Sequence, residues 1–348
     1  MNTRSRTDVP LVRTIAASIA ALIACGCAGG DDVATPTAAF HAAIVFDVGG
    51  VGDKSFNDSA NRGLERARDE LEIRTSYYEP REPSDRESGL RRFAAGSADV
   101  VFGIGFMFSE EITSLAREYP DLRFACVDMA LSTEEPGDPL PPNLVALKFR
   151  EEEGSFLAGA LAALTSKTGK IGFIGGMNVP LIHKFEAGYA AGAHHVRPDI
   201  EVLVGYAGET PMAFKDAAKG KSLALGQYGA GADVIFHAAG QSGRGVFEAA
   251  REQGRLAIGV DSDQNDEAPG HVLTSMIKRV DVSVFETIRS AKDGAFEGGV
   301  RIFGLAEEGV GIVLDERNRS LWPEGAAERI DVLRRAIVAS EISVPSTR

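Results

Sequence analysis

From residue 42 onward, short apolar runs alternate with segments of helical period almost to the end of the chain. AAIVFDV leads into a helix expected over residues 57–71, TSYYE follows, and the helical ESGLRRFAAG leads to DVVFGIG. SEEITSLAREYP leads to RFACVDMA, then NLVALKF precedes the helical EEEGSFLAGALAALT. KIGFIGGM, KFEAGYAAGAHHV, EVLVGYAG, FKDAAKGKSLALGQYGAG, DVIFHAAG and GRGVFEAAREQG continue the alternation. The strands LAIGVD and HVLTSMI, the helix VSVFETIRSAKDG, a β-rich RIFGLAEEGVGIVL and an amphipathic helix near residues 327–340 complete it. Such alternation demands parallel sheets covered by helices on both faces, because each crossover must return over the sheet. About a dozen strands are too many for one twisted sheet to hold comfortably. The expected architecture is α/β with two doubly wound lobes. A single (β/α)8 barrel is the alternative, and the β-rich tail argues against it.

The first residues follow a different rule. Arg4, Arg6 and Arg13 precede or flank TIAASIAALIA, an apolar stretch of 11 residues at positions 14–24. A bilayer span needs roughly 20 residues, so residues 1–24 fit a secretory signal peptide. Leu22-Ile23-Ala24-Cys25 resembles a bacterial lipobox, whose cysteine receives lipid; an ordinary signal with a chance cysteine is the alternative. Residues 25–41 read as the lipidated end and a flexible tether. No later run reaches transmembrane length without a charge or glycine, so lipid on Cys25 is the expected anchor, with the chain facing outside the cytoplasm.

Removing residues 1–24, with three arginines and one aspartate, leaves 324 residues and takes the net charge from −13 to −15. That is long enough for two lobes, and its sign does not attract nucleic acid. Cys27 lies in the tether, and Cys126 in FACVDM reads as a small buried hydrophobe. The spacing offers neither a disulfide framework nor a metal site. No cofactor is expected.

Ligands of open α/β sheets bind beyond the carboxyl ends of the strands. AIVFD ends in Asp47, FACVD in Asp128 and LAIGVD in Asp261. Ionised carboxylates accept hydrogen bonds and repel phosphate, so the ligand they suit is neutral or cationic and rich in donors. GGVGDKSFNDSA, residues 49–60, sets Phe56-Asn57 at a strand-to-helix turn, which adds an apolar face to those acceptors. Ser55 with Asp58 resembles a capping box that would start the helix. Enzyme signatures fail here. Gly50-Val51-Gly52-Asp53-Lys54-Ser55 lacks the third glycine of a dinucleotide loop, and Gly220-Lys221-Ser222 has Lys215 where a phosphate loop needs glycine.

D-x-G-G-x-x-D-K-S-F-N, EEEGSFLAG, KIGFIGGM with KFEAGY, AKGKSLA, DVIFHAAG-x-x-G-x-G and GVD-S-D-Q, in that order, resemble the basic membrane protein family of bacterial solute-binding lipoproteins. The resemblance covers about residues 43–320 and departs at Gly52, where many relatives carry an acidic residue. It implies a type I periplasmic-binding-protein fold, two Rossmann-like lobes joined by three crossovers. The expected division is residues 42–149 plus 263–296 in the first lobe and 150–262 plus 297–348 in the second. The resemblance further implies a purine nucleoside held between Phe56 and Phe214. Asn57 and Asp128, with Asp47 nearby, would meet the base edge; Asp261 and Lys278 would hold the ribose, and Gly240 would permit close approach. Phe185 reads as core or pocket wall. The implied partner is the permease of an ABC importer, and a monomer is expected. A sugar-binding receptor of the same fold, or a surface signalling or adhesion lipoprotein, is the alternative function.

The anchor is directly testable. Cys25→Ser should leave a precursor that is unprocessed or mislocalised and lacks diacylglycerol, as read by mass spectrometry and membrane fractionation.

Overall fold

Twelve strands are too many for one sheet, and the described residues divide them into two sheets of six. The structure is a computed structural model that describes residues 39–82, 84–131 and 139–348. Cys25, the signal and most of the expected tether lie outside them. In chain order the first half comprises β1 (His41–Val45), α1 (Phe56–Leu71), β2 (Arg74–Tyr78), α2 (Asp85–Ala94), β3 (Val100–Ile104), α3 (Ser109–Glu118), β4 (Arg123–Val127) and β5 (Leu144–Phe149). The middle comprises α4 (Glu151–Thr165), β6 (Lys170–Met177), α5 (Pro180–Val196), β7 (Glu201–Gly208), α6 (Ala217–Gly229), β8 (Val234–Ala238), α7 (Gly243–Gln253), β9 (Leu256–Asp261) and β10 (Val272–Lys278). α8 (Val280–Lys292), β11 (Gly299–Phe303), β12 (Val310–Ile312) and α9 (Ala326–Val338) complete it.

The sheets run β11-β5-β4-β3-β1-β2 and β12-β10-β9-β8-β6-β7, parallel throughout except for β12 against β10. Central strands are buried on both faces, so they read as predominantly apolar runs. Ile44 feeds the core on one face of the first sheet and Val45 the core on the other. Phe173 and Ile174 do the same in the second.

The two-lobed α/β fold of the sequence reading is present, but the lobe boundaries need correction. Residues 263–296 were expected in the first lobe, yet β10 pairs with β9 inside the second sheet. The chain returns to the first lobe at Arg279 and not before β10, after which α8 packs on α1. Residues 297–348 were expected in the second lobe, yet β11 pairs with β5 in the first sheet. Apolar runs reveal strands but not their neighbours, so the crossovers were displaced by one strand. His41, expected in the tether, is instead buried as the first residue of β1, where its Nε2 lies 3.0 Å from Ser76 Oγ.

Three crossovers therefore join the lobes, at Arg150, at Arg279 and over residues 304–309. They are bonded to one another: Arg150 N–H donates to the Phe303 carbonyl at 3.0 Å, and Arg279 N–H to the Gly309 carbonyl at 2.8 Å. Short connections lying side by side form a natural hinge.

Beside the hinge, α4 and α5 touch backbone to backbone. A Cβ on Gly159 would lie 1.9 Å from the Tyr189 carbonyl oxygen, and one on Gly192 would lie 1.9 Å from that of Phe156. In an exposed helix, Gly→Ala is worth about 1 kcal/mol of stabilisation. Here overpacking reverses the sign. Gly159→Ala should lower stability by about 1–3 kcal/mol, read as a shift of the urea midpoint at unchanged slope.

Candidate ligand-binding site

The carboxyl ends of the two sheets face one another across a cleft of about 630 Å³, its open mouth included. That lies within the usual range for small-molecule sites. All eight ligand-site residues predicted from sequence line it: Asp47, Phe56, Asn57, Asp128, Phe214, Gly240, Asp261 and Lys278. Leu181, Ile182 and Phe185 from α5 line the same cleft, Phe185 almost fully buried. Gly240 has φ +53°, and a side chain there would meet the Phe214 carbonyl at 3.2 Å.

The loop after β1 is built around Asp53. Its carboxylate accepts from the backbone N–H of Ser55 at 2.8 Å, of Asn57 at 2.8 Å and of Asp58 at 3.1 Å. These are donors that a helix start would otherwise leave unpaired. The expected capping box between Ser55 and Asp58 does not form. Ser55 Oγ instead crosses the cleft to donate to Asp261 Oδ2 at 2.6 Å. Asp58 turns back to the N–H of Gly52 at 2.6 Å and of Lys54 at 3.0 Å. Gly52 itself has φ +94°, a conformation in which an acidic side chain would be strained.

Asn57 is 2% exposed. Its Oδ1 accepts from Asp47 N–H at 3.1 Å and its Nδ2 donates to Asp53 Oδ2 at 3.0 Å. One amide hydrogen remains for a ligand, so the residue orders the loop more than it presents a free edge. Phe56 opens α1, and its ring centroid lies 5.2 Å from Lys278 Nζ.

Lys278, at the end of β10, is the buried centre of the site. Its Nζ donates to Asp128 Oδ2 at 2.6 Å and lies 2.9 Å from Glu151 Oε1. Burial opposes its charge, but Asp128, Glu151 and Asp261 outweigh that and hold the ammonium above the ordinary lysine range. Burial pushes the Asp128 carboxyl up, against the pull of Lys278. Asp128 Oδ1 is buried and has no hydrogen-bond partner among the described residues. Asp128 and Asp261 both have positive φ, 61° and 63°, a conformation costing of order 1–3 kcal/mol for such residues. Strand-end carboxylates thus turn into the cleft against a backbone preference.

The residues of the cleft and its surroundings that escaped the sequence reading include Asp53, Glu151, Phe106 and Gln241. Asp53 and Glu151 stood inside quoted motifs, but nothing in the spacing distinguished a cap or a buried ion pair. Phe106 and Gln241 line the cleft from single 3-10 turns, too short to leave a periodic signal. Gln241 Nε2 also donates across the lobes to the Gly49 carbonyl at 3.0 Å. Cys126 is buried as expected, and no cluster able to hold a metal occurs among the described residues.

Residues 40–348 match the family described as ABC transporter substrate-binding protein PnrA-like. Basic membrane protein A of Borreliella burgdorferi is 38% identical, with 85% of each chain covered. The ABC transporter nucleoside-binding protein BmpA of Lactococcus lactis subsp. cremoris is 35% identical, over 88% of this chain and 89% of its own. Among solved structures, an ABC transporter solute-binding protein from Aeropyrum pernix K1 aligns with TM-score 0.78 at 28% identity, covering 89% of this chain and 94% of that one.

The carboxylates make the cleft pH-sensitive. Burial pushes Asp47 up to about 7, although part of its surface still faces the cleft, and pushes Asp261 to about 6. A carboxyl whose folded pKa is raised adds stability below its unfolded value, about 4, and loses it as pH rises through the folded one. Asp47→Asn should therefore raise the thermal midpoint of the ligand-free protein at pH 8. The gain should shrink towards pH 4, as scanning calorimetry across that range would show.

Proposed function

The chain belongs to the PnrA-like family of ABC transporter substrate-binding proteins, and from that premise we propose that its cleft binds a purine nucleoside. A member of this family is a binding protein rather than an enzyme, with a small-molecule ligand and a permease as partner. One observation carries the nucleoside reading. Phe56 from the first lobe and Phe214 from the second line the same cleft as the carboxylates Asp47, Asp128 and Asp261.

A purine has two apolar faces and a polar edge, and its ribose carries hydroxyl donors. Rings from opposite lobes cover both faces only when the lobes close, which couples stacking to closure. In this reading Phe56 and Phe214 sandwich the base. Asp128, with Asn57 and Asp47, meets its edge, while Asp261 and Lys278 hold the ribose and Gly240 lets it approach. The name of the Lactococcus relative supports that ligand class.

Among the described residues no helix is long and apolar enough to cross a membrane. The basic-membrane-protein name of the Borreliella relative agrees with an extracytoplasmic, membrane-associated protein. A lipid on Cys25 would supply the attachment, with the protein a monomer beside its permease.

Base–aromatic stacking is worth about 1–3 kcal/mol per contact, so Phe56→Ala and Phe214→Ala should each weaken binding roughly 5- to 150-fold. Asp261→Ala should erase the advantage of ribonucleosides over 2′-deoxyribonucleosides. Calorimetry with folded variants measures both. A folded Phe56→Ala protein that binds like the wild type, or a wild type that prefers hexoses, would sink the reading.

A further inference from the structure

Glu151 is the first residue of α4, immediately after the first crossover, and is fully buried outside the cleft lining. Its two oxygens serve two lysines. Oε1 lies 2.9 Å from Lys278 Nζ, and Oε2 accepts from Lys184 Nζ. Lys184, on α5, also donates to the Phe149 carbonyl at the end of β5 and lies 3.2 Å from Glu152 Oε2. The chain of contacts runs from Asp128 in the first lobe to Lys278 in the second, then to Glu151 at the hinge. From there it passes to Lys184 in the second lobe and back to Phe149 in the first.

From this geometry we infer that Glu151 is a positioning residue for ligand recognition, acting through Lys278. The inference rests on the nucleoside reading for what Lys278 touches, but its geometric half does not. Without Glu151, the two ammonium groups would face each other across its vacated place. Lys278 would keep Asp128 as its close partner and could be drawn away from the position it holds beside Phe56, Phe149 and Phe185. A carboxylate is required there because each of its two oxygens brings negative charge to one ammonium. An amide has one acceptor oxygen and would turn an NH2 donor towards one of the lysines. Glu151→Gln keeps the shape of the side chain and must release one ammonium.

Two measurements test this. The first needs no ligand: the side-chain ammonium signal of Lys278 in protein labelled with 15N-lysine, assigned by its loss in Lys278→Met. Glu151→Gln should shift or broaden that signal. An unchanged signal in the folded variant overturns the inference. The second is calorimetry with a purine ribonucleoside and its 2′-deoxy form. Glu151→Gln should reduce the ribose preference by about tenfold or more, as expected for a charge-assisted hydrogen bond. In a Lys278→Met background it should cause no further loss. Equal weakening of both ligands with the preference intact would mark Glu151 as merely structural. Glu151→Asp, which keeps the charge but draws it back, should show the same change to a smaller degree. If neither variant folds, the role is structural and the inference fails. If the wild type binds no nucleoside, the nucleoside reading falls, while the ammonium signal still decides the role of Glu151.

Discussion

Lys278 is a residue only 1% exposed, so its ammonium group must be neutralised by what surrounds it, and the arrangement of both lobes follows from that demand. Removing such a charge from water costs several kcal/mol unless close, well-aligned partners offset it. The partners come from separate parts of the chain: Asp128 directly follows a strand of the first lobe, and Glu151 starts a helix at the crossover. Lys278 itself ends a strand of the second lobe. Burying this charge therefore requires the lobes to be together and the hinge to be correctly seated. Removing either carboxylate would leave a buried charge poorly compensated, a larger loss than the pair gains over an apolar alternative.

The same cleft holds more carboxylates than its own stability favours. Asp47 and Asp261 are pushed towards neutral pH by burial, and Asp128 and Asp261 adopt backbone conformations that non-glycine residues avoid. Desolvated carboxylates on strained backbone, gathered at one cleft, mark a surface shaped for a ligand. Acceptors held in place before the ligand arrives lose less on binding than acceptors that must first be ordered.

Closure is also written into the loop after β1. Ser55 reaches Asp261, Gln241 reaches the Gly49 carbonyl, and Arg244 reaches the Gly52 carbonyl at 2.7 Å, all across the lobes. Gln264 adds a bond to the Lys54 carbonyl at 3.0 Å. A single loop, braced internally by Asp53 and Asp58, thus carries both the ring that would stack on a base and the backbone that meets the opposite lobe. Ligand contact and lobe contact share the same few residues, so a change in one is felt by the other.

The apolar runs pointed to parallel sheets in two lobes, because a strand buried on both faces must be largely apolar and one sheet cannot comfortably hold about a dozen of them. Asp47, Asp128 and Asp261 were legible as candidate site residues for a related reason: each ends such a run, at the carboxyl edge of a sheet, and all three line the cleft. Family motifs added Phe214, Gly240 and Lys278, whose roles no local pattern carries. Only the tertiary structure decided that β10 belongs to the second sheet and β11 to the first, since strand neighbours are chosen by packing between distant segments. It alone showed that Ser55 serves Asp261 rather than its own helix, and that Asp53 caps in its place. It alone brought Glu151 and Lys184 to Lys278, because a charge can enter a core only where distant residues meet to neutralise it, and that meeting leaves no trace in the spacing of the chain.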